Sequence, residues 1–253
     1  MADLYESYAS LHTGASNVEA TRLAFRRDVQ PYLPHYEAAH IVDLGCGQGL
    51  LVRELTQAGY GGVRGIDISP EQVALAHADG ISAVQVGDFQ EVLEPEGSDA
   101  IIAFDFLEHL PRQTVPDSLR MIRGSLAPGG VLIARVPNAT SPFSGAIRHG
   151  DFTHESWFTA GSVRQLCAYA GFDSVDIRPC EPPIHGAMSA ARFVVWKVVQ
   201  AFLKLIYAAE TGQHKGVIVT QNLVFIARAS EAASASPERG LPSRGNEEGG
   251  SPP

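Results

Sequence analysis

Apolar and β-branched runs alternate along this chain with segments of helical period, and that alternation is the first restriction on its fold. Runs at residues 41–44, 63–67, 82–86, 100–104, 131–136, 172–178 and 223–227 read as strands. Between them, residues 50–58 form a helix closed by Gly59, and residues 115–125 form another. Ser69-Pro70-Glu71-Gln72 combines an N-cap, proline at the first helical position and a capping-box glutamine, opening a helix that ends near Gly80. Thr159 caps a helix in which Val163, Leu166, Cys167 and Ala170 recur at i, i+3, i+4 and i+7, with Gly171 to close it. Asn17 caps a first helix ending near Pro31 or Pro34. Strands that alternate with helices predict an α/β fold, a doubly wound, mostly parallel sheet of seven strands with helices on both faces.

Three segments depart from this rhythm. Residues 1–34 read as an N-terminal helical cap on a domain spanning residues 35–228. Within residues 186–212 lies a helical insertion, and its stretch 189–207 is apolar almost all round, with Lys197, Gln200 and Lys204 at i, i+3 and i+7 as one narrow polar stripe. Those polar interruptions make it a poor membrane span of ~20 residues, so its apolar surface requires another cover. Packing or a homodimer comes first, and peripheral contact with a membrane surface, with the lysines snorkelling, comes second. From residue 229 to 253 the sequence is Ser, Ala, Pro, Gly and Glu with few apolar side chains, which predicts a disordered tail.

The chemistry concentrates where the first strand ends. Ile41-Val42-Asp43-Leu44-Gly45-Cys46-Gly47-Gln48-Gly49 places glycines where backbone must approach a ligand, ahead of helical N–H groups suited to an anionic end. Asp67, in Gly65-Ile66-Asp67-Ile68-Ser69-Pro70, ends the second strand and can hold ribose hydroxyls. A dinucleotide fingerprint requires glycine at its sixth position, and that position is Leu50. A nicotinamide oxidoreductase is therefore disfavoured. The Gly-x-Gly-x-Gly spacing after Asp43 instead resembles the first motif of class I S-adenosylmethionine-dependent methyltransferases. Asp88-Phe89, Phe104-Asp105-Phe106-Leu107-Glu108-His109-Leu110 and Leu126-Ala127-Pro128-Gly129-Gly130 are similar to that family's later segments, in the same order, over residues 41–172.

The resemblance implies a Rossmann-like fold whose last strand inserts antiparallel beside the sixth, and S-adenosylmethionine as cofactor. It assigns cofactor binding to Asp43, Gly45, Cys46, Gly47, Gly49, Asp67, Ile68, Asp88, Phe89, Phe104 and His109, with Asp67 on the ribose and Asp88-Phe89 about the adenine. Cys46 lies in the loop with a packing role, having no basic neighbour to make it a thiolate. Tyr5, Tyr8 and His12 can fold over the donor as a lid, or fray.

Methylating a neutral hydroxyl requires alignment and a place for its proton. The polar segment after the fifth strand, residues 148–158, holds the base candidates. His154 comes first, oriented by Glu155 or Asp151, and His149 second. The alternative is that these groups satisfy a loop's own backbone. Asp105, Glu108 and His109 resemble a magnesium arrangement of some quinone-pathway O-methyltransferases, but the stronger reading is that Glu108-His109 shapes the cofactor pocket, so no metal is assigned to the site and a divalent ion is kept as the lesser alternative. The acceptor expected is a small molecule, a sugar or glycan-precursor hydroxyl first and a quinone or other lipid-linked molecule second. A noncatalytic nucleotide-binding scaffold is a further alternative.

Net charge narrows the partners. The chain of 253 residues carries −9. Its tail supplies four Glu and two Arg, hence −2, leaving −7 on the body, so no basic surface for nucleic acid is expected. Three cysteines without metal spacing fit a reducing compartment, and residues 1–10 lack the layout of a signal peptide. The expectation is cytoplasmic, with contact at the inner face of the membrane as the variant.

Overall fold

The computed structural model describes residues 10, 18–213 and 215–231. Asn17, Tyr5, Tyr8, His12 and the tail beyond residue 231 lie outside them, with the cap, lid and disorder expected there. Helix α1 (Val18–Ala24) widens into a π-helical turn at Phe25–Val29 and then tightens into a 3₁₀ turn at Gln30–Tyr32, where Pro31 limits the helix. Then follow β1 (His40–Leu44), α2 (Leu50–Gln57), β2 (Gly62–Asp67), α3 (Pro70–Ala78), β3 (Val84–Val86), the short α4 (Phe89–Val92), β4 (Ser98–Phe104), α5 (Val115–Ser125), β5 (Leu126–Pro137), α6 (Gly145–Gly150), α7 (Ala160–Ala170), β6 (Ser174–Pro179), α8 (Ala187–Thr211) and β7 (Asn222–Arg228).

The seven strands form one sheet in the order β3-β2-β1-β4-β5-β7-β6, parallel except for β7, which runs antiparallel to both β5 and β6. Both faces are covered, which is why the strands read as nearly continuous apolar runs. Leu44, Ile101, Leu132 and Phe225 pack beneath Leu119 and Ile122 of α5 and Val163 and Cys167 of α7. Their neighbours Ile41, Ile102, Ile133 and Ile226 pack on the other face against Leu51 and Leu55 of α2 and Phe25 and Val29. The adjacent pair Ile101 and Ile102 thus serves two cores, as a two-residue period demands.

The expected strands and helices form, with shifted edges. β5 begins at Leu126 rather than residue 131, because Pro128-Gly129-Gly130 enters the ladder through an irregularity opposite Ser98 and Ala100. The Ser69 hydroxyl accepts the Gln72 amide at 3.4 Å, but Oε1 of Gln72 is buried with no partner, so the capping box closes on one side only. At α7 both halves form between Thr159 and Ser162, and Gly171 adopts φ of 85° after the last turn.

Of the polar stripe on helix α8 only Gln200 turns inward, among the half-buried Phe193, Trp196, Leu203 and Tyr207, while Lys197 and Lys204 stay exposed along its edge. Ser189 and Gln200 are its buried residues, and Glu181 holds Lys197 Nζ at 2.6 Å and Gln200 Nε2 at 3.0 Å. Its apolar side faces outward. Among the described residues, no helix is long and apolar enough to cross a membrane.

Candidate active site

The carboxyl ends of β1, β2, β3 and β4 open into a cavity of about 530 Å³. Gly45, Gly47, Asp67, Ile68, Asp88, Phe89, Phe104 and His109 line it, together with Gln72, Gly87, Phe106 and Thr114, which the sequence did not assign to the cofactor. Gly45 and Gly47 take φ of 66° and 52°, which side chains resist, and a Cβ on Gly45 would stand 3.0 Å from the Phe106 ring. The loop is tied to the second strand: the amides of Gly45 and Cys46 donate to the Ile66 carbonyl at 2.8 and 3.1 Å.

Asp67 joins loop and strand. Its carboxylate accepts the Gly47 amide at one oxygen and the Ser69 amide at the other, each at 2.8 Å. Burial raises its pKa, and those two amides offset only part of that rise. Asp88 caps α4 by accepting the Gln90 amide at 2.9 Å, and Phe89 meets Phe106 edge to face at 5.2 Å.

Three further residues expected at the cofactor lie outside the lining of this cavity. Asp43 is buried at the end of β1, and its carboxyl is pushed up to about 8 by burial and by the nearby Asp67 charge. Cys46 packs toward Gly65, where a Cβ would come within 2.8 Å of its sulfur, and its thiol is pushed up by burial and then by Asp43. Gly49 precedes α2 with φ of 71°, and a Cβ there would meet Val84 at 2.8 Å. None of the three lines the cavity.

The polar segment after β5 folds back on the turn after β4. The amides of Glu155 and Ser156 donate to the Glu108 carbonyl at 2.8 and 2.9 Å, which brings the rings of His109 and His154 into edge contact at 4.7 Å. Nδ1 of His109 lies 2.8 Å from the Thr153 hydroxyl, which donates to Asp151 at 2.7 Å. Asp151 is therefore joined to His109 through Thr153. Nδ1 of His154 is buried without a partner, and His149 is exposed on α6.

Asp105, expected beside Glu108 and His109, is held on both carboxylate oxygens by Arg135, with Nε at 2.8 Å from Oδ1. Glu108 is buried, and burial, then Asp105, raises its carboxyl well above the usual range. Among the described residues, the one grouping of three side chains with metal-ligand spacing is His109, Asp151 and His154, their ligand atoms within 4.8 Å of one another.

The Arg135 guanidinium also covers the Phe104 ring and reaches a second cavity of about 450 Å³ on the same edge of the sheet. Phe143, Pro182, Pro183, Trp196 and Asn222 are among its walls. Nε1 of Trp196 and Oδ1 of Asn222 are buried without partners. Both belong to parts of the chain, the insertion and the start of β7, where sequence offered no chemical signal.

A 3-2-1-4-5-7-6 sheet with its cavity at the carboxyl ends defines a Rossmann-like methyltransferase architecture. Residues 18–177 match the family model described as a methyltransferase domain, and the chain belongs to that family. It is 32% identical over 141 residues to trans-aconitate 2-methyltransferase of Mycobacterium tuberculosis, a match covering 52% of this chain and 53% of the relative. It is 25% identical over 157 residues to ubiquinone biosynthesis O-methyltransferase of Cupriavidus pinatubonensis, covering 54% of this chain and 61% of the relative. The chain thus spans about half the length of the curated relatives it matches. A SAM-dependent methyltransferase from Archaeoglobus fulgidus superposes with a TM-score of 0.63 at 20% identity, covering 89% of this chain and 98% of the other. Phosphoethanolamine N-methyltransferase 2 of Haemonchus contortus, solved with S-adenosyl-L-methionine, gives 0.58 at 17% identity, covering 90% of this chain and 60% of that one.

Proposed function

We propose that the chain transfers a methyl group from S-adenosylmethionine to a hydroxyl of a small molecule. The observation that carries this reading is the juxtaposition, at one end of the sheet, of the Gly45 to Asp67 cavity and the Asp151-Thr153-His109 relay. S-adenosylmethionine supplies an electrophilic methyl on sulfur, open to in-line displacement. Asp67 holds the ribose, and Gly45 and Gly47 let the backbone approach. Phe89 and Asp88 flank the adenine.

The proton of the acceptor hydroxyl goes to His109. Asp151 as a carboxylate only accepts, so Thr153 donates to it and takes Nδ1–H of His109 in return, leaving the lone pair on Nε2. A second reading keeps His154 as the base with Glu155 beside it, favoured by its partnerless Nδ1. His149, exposed on α6, ranks behind both.

The body of the acceptor occupies the second cavity, and its hydroxyl extends past the Asp105 to Arg135 pair into the first, where His109 stands. A sugar hydroxyl and a quinone-type ring are the two acceptor classes, and the walls of Phe143, Pro182, Pro183 and Trp196 favour the flat, apolar body of the second. The ubiquinone pathway relative is consistent with that choice.

Binding is tested first: S-adenosylhomocysteine at saturating concentration raises the melting temperature, while NAD does not. Labelled S-adenosylmethionine incubated with fractionated extract then carries label into a phenolic or saccharide fraction. Absence of any S-adenosylhomocysteine stabilisation rejects the methyltransferase reading, and label confined to protein rejects the small-molecule acceptor.

A further inference from the structure

Helix α8 presents an apolar surface with a cationic edge, and we infer that this surface docks the protein on an anionic lipid bilayer. Val194, Val195, Val198, Phe202 and Leu205 are between 61% and 67% exposed, and Met188 is 87% exposed. At 100° per residue, the exposed apolar positions from Ala201 to Ile206 fill an arc of roughly 140° along a helix ~37 Å long. A paired coiled coil uses a narrower seam with charged flanks. Here the flanks of any such seam are Val194, Ala201 and Ile206, so a second helix would leave apolar surface uncovered.

Charge indicates what covers it instead. The helix carries Arg192, Lys197 and Lys204 against one carboxylate, Glu210, in a chain whose net charge is −9. Lys197, paired with Glu181, and Lys204 lie along one border of the apolar arc, and Arg192 and Glu210 share the other, so the cationic edge is the lysine side. This is the layout of a helix that lies in an interface with its cations at the headgroups. On the lysine border a further cavity, about 350 Å³, is lined by Arg164, Lys197 and Lys204 with the single carboxylate Glu181. That cavity suits the phosphate of an anionic lipid whose chains lie against Val198 and Leu205.

Depth is limited to the interface, since no described helix is long and apolar enough to cross. Polar contacts from Glu181 to Lys197 and Gln200 hold the helix to the body, so it meets the bilayer as a preformed surface. Trp196, on the inner side of the same helix, walls the cavity beside Arg135, so the helix itself stands between the bilayer and the proposed acceptor cavity. The inference does not depend on methyl transfer.

Vesicle flotation tests it with the full chain and two lipid compositions, phosphatidylcholine alone and phosphatidylcholine with about one-third phosphatidylglycerol. The protein is expected to float with the anionic vesicles and stay behind with the neutral ones, and to be released by raised salt. Val198→Glu with Phe202→Glu, both on exposed positions, is expected to cut the bound fraction about tenfold or more. Lys204→Glu with Arg164→Glu is expected to lower the fraction bound to anionic vesicles, as raised salt does. Melting with S-adenosylhomocysteine shows that each variant is folded and separates this outcome from failure of the cofactor reading.

No flotation with anionic vesicles overturns the inference, as does binding that the apolar variants leave unchanged. A concentration-dependent dimer in sedimentation that Val198→Glu dissolves, without any lipid binding, assigns the surface to a second copy and overturns it equally.

Discussion

Thr153 and His109, 44 residues apart in sequence, meet at 2.8 Å through the Thr153 hydroxyl and the imidazole Nδ1. Because that hydroxyl gives its proton to Asp151, the contact selects the His109 tautomer with its basic nitrogen at Nε2. His109→Ala is expected to lower kcat by about 10²-fold or more, the usual scale of a lost general base. Thr153→Val, which keeps volume and removes the relay, is expected to lower kcat about tenfold while S-adenosylhomocysteine affinity holds, and Thr153→Ser restores it. Single-turnover kinetics with an identified acceptor read both. If His154→Ala costs 10²-fold and His109→Ala does not, the base is His154.

Asp67 does two jobs with one carboxylate, and that makes its substitution informative. Both oxygens accept amides, from Gly47 and Ser69, at 2.8 Å. Asp67→Asn turns an NH₂ toward one of those amides and removes the charge that would bind ribose hydroxyls. Loss of a charge-assisted contact costs about 1.5–3 kcal/mol, or roughly 10- to 100-fold in affinity. Calorimetry with S-adenosylhomocysteine checks it, and an affinity within twofold of the unaltered protein removes Asp67 from the ribose.

How far the sequence foretells this depends on range. Strands such as residues 41–44 and 223–227 are legible because burial on both faces leaves near-continuous apolar runs. Gly45, Gly47 and Asp67 are legible because a tight turn after a strand restricts the residue types. Phe106 is not: it enters the cavity because Asp105 takes φ of 51°, a turn uncommon for residues other than glycine. The Asp151-Thr153-His109 relay is not legible either, since it depends on how the segment after β5 hangs from the Glu108 carbonyl. Helix α8 shows the opposite limit. Its composition suggests burial all round, yet only Gln200 of its polar stripe turns inward and one apolar side faces out, an orientation held by Glu181 through Lys197 and Gln200, 16 and 19 residues away.

Cys46 and Gly65 fix the spacing between the glycine loop and the second strand. A Cβ at Gly65 would lie 2.8 Å from both the Cys46 sulfur and Val52 Cγ2. Gly65→Ala is therefore expected to cost about 1–3 kcal/mol through overpacking, a fall of roughly 2–12 °C in melting temperature. Adding Cys46→Ala removes one of the two contacts and should return part of that loss. If the single variant melts with the unaltered protein, the packing account of Cys46 fails. The same burial holds the thiol protonated, so alkylation of Cys46 in the folded protein is expected to be slow.

The buried carboxyl of Asp43 gives stability a pH slope of unusual sign. Its ordinary value is 3.8, and in the folded chain burial and the Asp67 charge push it to about 8. Between those values the folded state holds a proton that the unfolded state has released, so unfolding loses a proton and stability falls as pH rises. The contribution is fully present below the ordinary value and lost on approaching the raised one, opposite to a salt-bridged aspartate. Melting temperature without ligand is thus expected to decline from about pH 5 to pH 8. Asp43→Asn, which is neutral throughout and nearly the same shape, flattens that decline, and the two proteins differ most at the alkaline end. Parallel profiles for both proteins across this range mean that Asp43 is ionised in the fold.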